Sequence, residues 1–520
     1  MFIDGKQLSE DHSVDTDICI IGAGVAGITM AQHLGDTSHR ITVIESGGLE
    51  YDRGVQELYA GEYLGRDTFD LRTSRLRFFG GTSNHWAGNC QTLDPIDFEQ
   101  RPWMPHSGWP ITYGELLPFY KTAAEICDLP GPHFDAGHWA RLLNFPTTPL
   151  SSEKMLHEVL VKSPPTRFGK KYRETLNRSD KVAVYLNCNL TRLSSHPSGK
   201  MIKAAEAMTL DGKKITVRAK ALVIACGGIE NARLLLHAAG RNRAGFEKVA
   251  DNIGRYYMDH PVAQGGILLT AQAAELGFFN AHAYKSGLPG IRGSARISPR
   301  MQKQHEIGNT SFIVSPTGPH HSWAKKSLRA IYRSLKHGHV HDLLGHQLKE
   351  AMSGATDDIR AMFSDEDEAY TPYMLTLRPE HAPNPESRVT LTEEKDALGI
   401  NKVKVDWRLT EFDKRSMEES LKIFAAEAGR LGWGRVKNLL GDDPAWADNM
   451  RGGPHHMGTT RMHESPGEGV VDSNCRVHGI DNLYLAGSSV FPTSSCAMPT
   501  LTITALAVRL ADHLKEELKA

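Results

Sequence analysis

Three glycines and one acid near the start of the chain have the types and spacing to do chemistry. Gly22, Gly24 and Gly27 stand in a G-x-G-x-x-G arrangement, and Glu45 follows eighteen residues after the last of them. The first glycine permits a tight turn, the second lets a pyrophosphate approach bare backbone, and the third allows close helix–strand packing. The helix that follows presents free N–H groups to the phosphates. Glu45 is placed to accept hydrogen bonds from an adenosine ribose. The chemistry implied is dinucleotide binding; a glycine turn in an unrelated α/β fold leaves Glu45 unexplained.

The elements around the loop fit that reading. Residues 16–21 (TDICII) form a short β-branched run, Ile28–Leu34 has helical apolar spacing, and Arg40–Glu45 (RITVIE) reads as a second strand. Strand, turn, helix and strand in about thirty residues is the βαβ unit of a doubly wound sheet. Residues 50–130 look loop-dominated and, being rich in aromatics, suggest a binding surface. Residues 181–224 read as a meander turning at Asp211-Gly212 and ending in the strand Ala221–Ala225, with a helix from Glu230 to His237 after it. The pattern is less regular from about 262 to 448, then regains strand–turn–helix character.

Composition sets the bounds. A chain of 520 residues calls for more than one core. Lysine plus arginine (60) nearly balance aspartate plus glutamate (61), which gives no global pull toward nucleic acid or an anionic membrane. The seven cysteines form no C-x-x-C pair and read as reduced, buried thiols. No uninterrupted apolar stretch of roughly 18 residues is present. The N-terminus lacks a basic region followed by an apolar run, so no secretory signal is read and the cytoplasm is the default expectation. Trp323–Lys336 reads as the solvated face of an amphipathic helix. His337, His339, His341 and His346 lack the companion acids or cysteines of a metal site. Trp407 and Tyr373-Met374-Leu375 suit either a substrate cavity or the core.

Four later segments resemble the glucose–methanol–choline (GMC) oxidoreductases. They are Gly80-Gly81-Thr82-Ser83-Asn84-His85-Trp86; Ala225–Arg233 (ACGGIENAR); Asn252–Arg255 with Met258-Asp259-His260-Pro261; and His455–Met462 continuing through Val471-Asp472, Asn482–Gly487 and Pro499-Thr500-Leu501. They come in the family's order and, with the N-terminal unit, span nearly the whole chain. By pattern the chain looks closer to the pyranose-oxidase-like, bacterial sugar-oxidising branch than to the choline branch. The resemblance implies an α/β fold, with a Rossmann-like FAD-binding domain and an α+β substrate domain built on a β-sheet, as in p-hydroxybenzoate hydroxylase. Residues 1–261 and 449–520 would form the first and 262–448 the second. It implies FAD as cofactor, with hydride passing from a carbinol carbon to flavin N5.

The resemblance also assigns roles. Gly81, Asn84, His85, Gly227, Gly487, Pro499 and Thr500 would join Gly22, Gly24, Gly27 and Glu45 around the cofactor. His85 aligns with the histidine that carries the flavin covalently in some members, and is read here as packed beside the ring without a bond. His455 lies where the family places its active-site histidine; a neutral imidazole can take the hydroxyl proton near neutral pH. His456 is read as structural. Pro499 suits a first helical position, and the helix it opens would place positive dipole near the flavin. Met498 stands where the family usually has Asn or a second His. A thioether cannot donate a hydrogen bond, and Met is a poor N-cap, so the second catalytic role passes to Met498 in altered form, to Ser494 or Ser495, or elsewhere.

The expected function is oxidation of a CH–OH group of a sugar, glycoside or other polyhydroxylated small molecule, with oxygen or another electron acceptor. Two other readings stand: a lyase on the same flavin scaffold, which Met498 favours, and an NAD-dependent dehydrogenase, which the later segments disfavour. No nucleic acid, membrane or metal partner is expected. The oligomeric state is open, and a homo-oligomer is compatible with it.

Overall fold

Ile18, Cys19, Ile20 and Ile21 are apolar without interruption, as a strand covered on both faces must be, and they are buried at the end of the strand Asp11–Ile21. A computed structural model describes residues 1–64, 70–144, 150–270, 276, 279, 289–317, 371–441 and 450–519. In it this strand is central to an eight-stranded sheet, between Ile41–Ile44 and Lys214–Ile224, both parallel to it. Val182–Leu186 and Phe2–Asp4 extend one side, Ile202–Met208 and Asn189–Ser195 the other. Leu483–Leu485 pairs in parallel with Leu222–Ile224 and so returns the end of the chain to the beginning.

Helix Val25–Leu34 follows the glycine loop and packs against Pro499–Glu517, which also contacts Tyr113–Ile126. The last helix begins at Pro499, the position read as its first residue. Tyr113–Ile126 falls in the stretch read as loop. Its start is marked by a capping box, Thr112 with Glu115, and Pro118 inside it obscures the helical signal.

A second eight-stranded sheet is largely antiparallel and has two unlike faces. Phe312, Val314, Leu375 and Leu377 are buried with Met417, Leu421 and Phe424 of helix Glu411–Arg430, and Phe312 stacks on Phe424 at 4.9 Å. The alternate residues turn the other way, among them Arg378 opposite Ser311 and Glu158 opposite Ser294. This sheet is not confined to residues 262–448. It takes in Asn89–Cys90, Met155–Lys162 and Arg451–Gly452, while Asn401–Asp406 pairs with Gly61–Leu64 in a third, three-stranded sheet. Tyr373, Leu375 and Trp407 lie in the two cores. Among the described residues no helix is long and apolar enough to cross a membrane.

Candidate active site

Between the two large sheets lies a cavity of about 760 Å³, within the range of small-molecule sites. At one end it opens over the glycine loop. Gly22 has φ +102°, and a side chain there would meet the Ala225 carbonyl at 2.8 Å. A Cβ on Gly27 would lie 1.9 Å from the Gly22 oxygen, so this glycine packs helix to strand and forms no part of the wall. Gly24 and Gly227 are different: a Cβ at either would meet nothing within 4 Å, because both border the cavity. Gly81 (φ +52°) stands beside Gly24. The result is a cradle of bare backbone at the start of helix Val25–Leu34, which fits a pyrophosphate.

Glu45 borders the same end. Its Oε2 accepts the Ala23 N–H at 2.7 Å and its Oε1 the Gly47 N–H at 2.9 Å. A carboxylate has about four lone-pair sites, so capacity remains for ribose hydroxyls. Burial raises its pKa, while the Gly47 and Ala23 amides and Arg77 oppose that. Glu230 is buried with Arg75, Arg77 and Arg233; burial opposes its charge, but these cations prevail and hold its pKa at about 2. Asn231 braces the region. Its Oδ1 accepts the Cys226 N–H, and its Nδ2 donates to the Ala486 carbonyl and Ser489 Oγ.

The turn 80–86 forms a side wall. Arg167 Nη1 donates to the carbonyls of Ser83 and Trp86, fixing the turn so that His85 stands on the cavity wall. Surrounding protein, and then Arg167, lower the His85 pKa to about 4. Asn84 stands behind the turn. Its amide donates to the Phe79 carbonyl and it is absent from the wall, because its side chain is spent closing the turn.

His455 lies at the other end, with Met498, Pro499 and Thr500 on the wall near it and Gly487 beside Gly227. The His455 loop hangs from Asp259, whose Oδ1 accepts the N–H groups of Gly453 and His455. Burial raises the Asp259 pKa to about 7, against those donors. His455 Nδ1 lies 2.8 Å from His260 Nδ1, with the rings at 86°. His260 Nε2 faces the carbonyls of Ser495 at 2.8 Å and Ser494 at 3.2 Å. A carbonyl only accepts, so this nitrogen carries the proton. Burial, then Arg378, lowers the His260 pKa to about 3, so the ring is neutral and its Nδ1 is an acceptor. His455 must therefore donate through Nδ1, which leaves its Nε2 bare. Burial, with His260, Arg378 and His456 adding to it, holds the His455 pKa well below its usual value. The arrangement is a neutral imidazole with a free lone pair on the cavity wall.

His456 also borders the cavity but stacks on Tyr257, and its carbonyl accepts from Ser488 Oγ. Met498 precedes the last helix with no side-chain cap bond. Ser495 Oγ donates to Asp97 and Ser494 Oγ to the His381 carbonyl, so both hydroxyls are engaged away from His455. Of the groups at this end, sequence reasoning gave no role to His260, Asp259, Arg378 or Arg451. The first two stood within a recognised segment; the arginines carried no local signal. All seven cysteines are free, six of them buried. Among the described residues no cluster suits a metal. Trp323–Lys336 and His337, His339, His341 and His346 lie outside the described residues.

The chain is similar to known proteins over nearly all of its length. The family model for GMC oxidoreductase matches residues 383–507. The large subunit of fructose dehydrogenase from Gluconobacter japonicus is 24% identical, over 98% of this chain and 99% of its own. The 6'''-hydroxyparomomycin C oxidase of Streptomyces lividus is 25% identical over 96% and 92%. Among solved structures, pyridoxine 4-oxidase from Mesorbium loti superposes with a TM-score of 0.54 at 18% identity, over 96% of this chain and 99% of that one. At that identity the likeness carries the fold alone.

Proposed function

We propose, for a chain whose residues 383–507 match the GMC oxidoreductase family model, that His455 is the general base of an FAD-dependent oxidation of a CH–OH group. The observation that carries this is the chain of contacts from the Ser495 carbonyl through His260 to His455 Nδ1, which assigns the His455 proton to Nδ1 and leaves Nε2 its lone pair in a residue of the cavity wall. The substrate class is a sugar, glycoside or similar polyhydroxylated alcohol, as the names of the curated relatives suggest.

FAD, when bound, supplies the acceptor for the hydride of the carbinol carbon. The protein's own residues do the rest. Gly22, Gly24, Gly81 and Gly227 would hold the pyrophosphate and flavin edge by bare backbone, and Glu45 the ribose. His455 Nε2 takes the hydroxyl proton as the carbon–hydrogen bond breaks. His260 keeps the other nitrogen of His455 protonated, so the base cannot present the wrong face. Met498 offers no proton chemistry and serves as an apolar wall that excludes water. The start of helix Pro499–Glu517 at the cavity favours negative charge there. Side-wall His85 has no role in proton transfer and would help to hold the cofactor.

The test is His455→Ala. The variant should purify yellow, with FAD bound, and its anaerobic reduction by a sugar substrate should slow by about 10²-fold or more. Reduction near the wild-type rate would remove His455 from the mechanism. Turnover of a substrate with no flavin bleaching at any stage would point to the lyase reading.

A further inference from the structure

Arg378 and Arg451 border the cavity at its His455 end. Strand Pro261–Thr270 runs between them: Val262 pairs with Arg451 on one side, and Ala263 with Leu377 on the other. With strands about 4.8 Å apart, the two arginine backbones stand roughly 10 Å from each other across Val262, itself on the wall. Each is tied to the reacting end. Arg451 is four residues from His455, and Arg378 Nε donates to the Cys496 carbonyl, two residues before Met498.

Neither arginine has a carboxylate partner among the described residues, unlike Arg101 with Glu380 or Arg296 with Glu158. Arg378 is buried, and its Nη2 donates only to Ser311 Oγ. Its Nη1 has no protein partner among those residues. A third guanidinium, Arg292, and the Glu158 carboxylate both lie close enough to act on Arg378, with opposite sign. Arg292 Nη2 reaches Ser315 Oγ, and its Nε is buried without a partner. Among the described residues the acids on the cavity wall are Glu45 and Glu230, and backbone amides and Arg75, Arg77 and Arg233 occupy them. Asp259 lies behind the His455 backbone and off the wall, and Glu158 is engaged with Arg296 and Gln91.

Burying the Arg378 guanidinium with no carboxylate in contact is costly, and an anion that pairs with it would relieve that cost. A guanidinium matches a carboxylate with two parallel N–H···O bonds. We propose that the substrate is an anionic polyhydroxylated alcohol, a sugar acid whose carboxylate is bound between Arg378 and Arg451 while a hydroxyl is presented to His455. This rests on the reading of the cavity as the site of CH–OH oxidation and specifies the substrate class.

The test is isothermal titration of the FAD-loaded protein under anaerobic conditions with matched pairs, D-glucuronate against D-glucose and D-gluconate against D-glucitol, alongside flavin bleaching by each. The carboxylates should bind about tenfold to hundredfold more tightly than their neutral partners, the range expected of charge-assisted hydrogen bonds. The advantage should shrink as salt is raised, strongly for exposed Arg451. In Arg378→Gln and Arg451→Gln the binding ratio should collapse toward one; Arg451, being exposed, gives a variant that does not depend on core packing. Equal or tighter binding of the neutral partners, or a ratio unchanged in both variants, overturns the charge assignment whatever bleaches the flavin. Tighter binding of carboxylates with no bleaching by any member of either series upholds the charge assignment and overturns the oxidation reading.

Discussion

His260 and His455 share one proton between their Nδ1 atoms, 2.8 Å apart, and its direction is set by the Ser495 carbonyl on the far side of His260. His260→Ala removes the acceptor, so His455 is free to place its proton on either nitrogen. Flavin reduction should slow by about 10- to 100-fold, mainly in kcat, since a misplaced base harms the chemical step more than binding. His260→Gln keeps a carbonyl oxygen that can accept from His455 and should recover part of the loss. A merely structural role for His260 would show as equal damage in both variants with an unchanged pH profile.

The pH profile follows from the same contacts. A lowered histidine pKa means that the neutral, base-competent form persists to lower pH. The groups facing His455 are His260, His456 and Arg378, which lower it, with Asp259 bonded to its backbone. In Asp259→Asn, which removes the carboxyl that titrates near 7, reduction should therefore stay level from pH 8 through 6.5 and fall only at more acid pH. In His260→Ala one of the lowering influences is gone, so the acid limb should move upward. A limb centred near 6.5 in Asp259→Asn would mean that the imidazole is not shielded in the working enzyme.

Gly24 and Gly27 should separate cofactor binding from folding. Valine at Gly24 projects into the cavity, where nothing stands within 4 Å, and the backbone there (φ −83°) accepts a side chain. Gly24→Val should fold and purify colourless. Gly27→Val drives Cβ to 1.9 Å from the Gly22 oxygen and should lower the melting temperature sharply or prevent folding. A yellow Gly24→Val protein would remove the loop from the cofactor site.

Met498→Leu conserves volume and apolarity and should cost less than about 1.5 kcal/mol in stability. If the thioether is only a wall, kcat for flavin reduction should remain within about threefold of wild type, as expected when no transition-state contact is lost. A loss of two orders of magnitude would assign sulfur a direct part.

Arg101 and Glu380 form a doubly hydrogen-bonded pair with no solvent access, at 2.7 and 2.6 Å. Glu380→Gln leaves a buried guanidinium short of its counter-charge and should destabilise the protein by about 3–5 kcal/mol. Thermal unfolding with FAD in excess measures it.

What could be read from the sequence was local. The glycine loop, the strand at Ala221–Ile224 and the helix opened by Pro499 are each written in a dozen residues, whose spacing obeys helix or strand periodicity. At Asn84 the limit is plain, since a polar residue in a recognised turn looks the same whether it faces a ligand or closes the turn. Arg378 and Arg451 had no legible role, since each becomes a cavity residue only through pairing on either side of strand Pro261–Thr270. His260 was within a quoted segment, yet its meaning depends on a carbonyl 235 positions away.

The pairing of Leu222 with Leu483 has a consequence in time. The two are 261 positions apart, and synthesis runs at about 5–20 residues per second, so the earlier strand waits roughly ten to fifty seconds for its neighbour. During that interval the nascent nucleotide half has an uncovered sheet edge, of the kind that invites foreign strands. It also lacks the wall carrying His455, Gly487 and Pro499. Capture of the cofactor thus belongs to the end of synthesis, and early in its life the chain depends on whatever shields that edge.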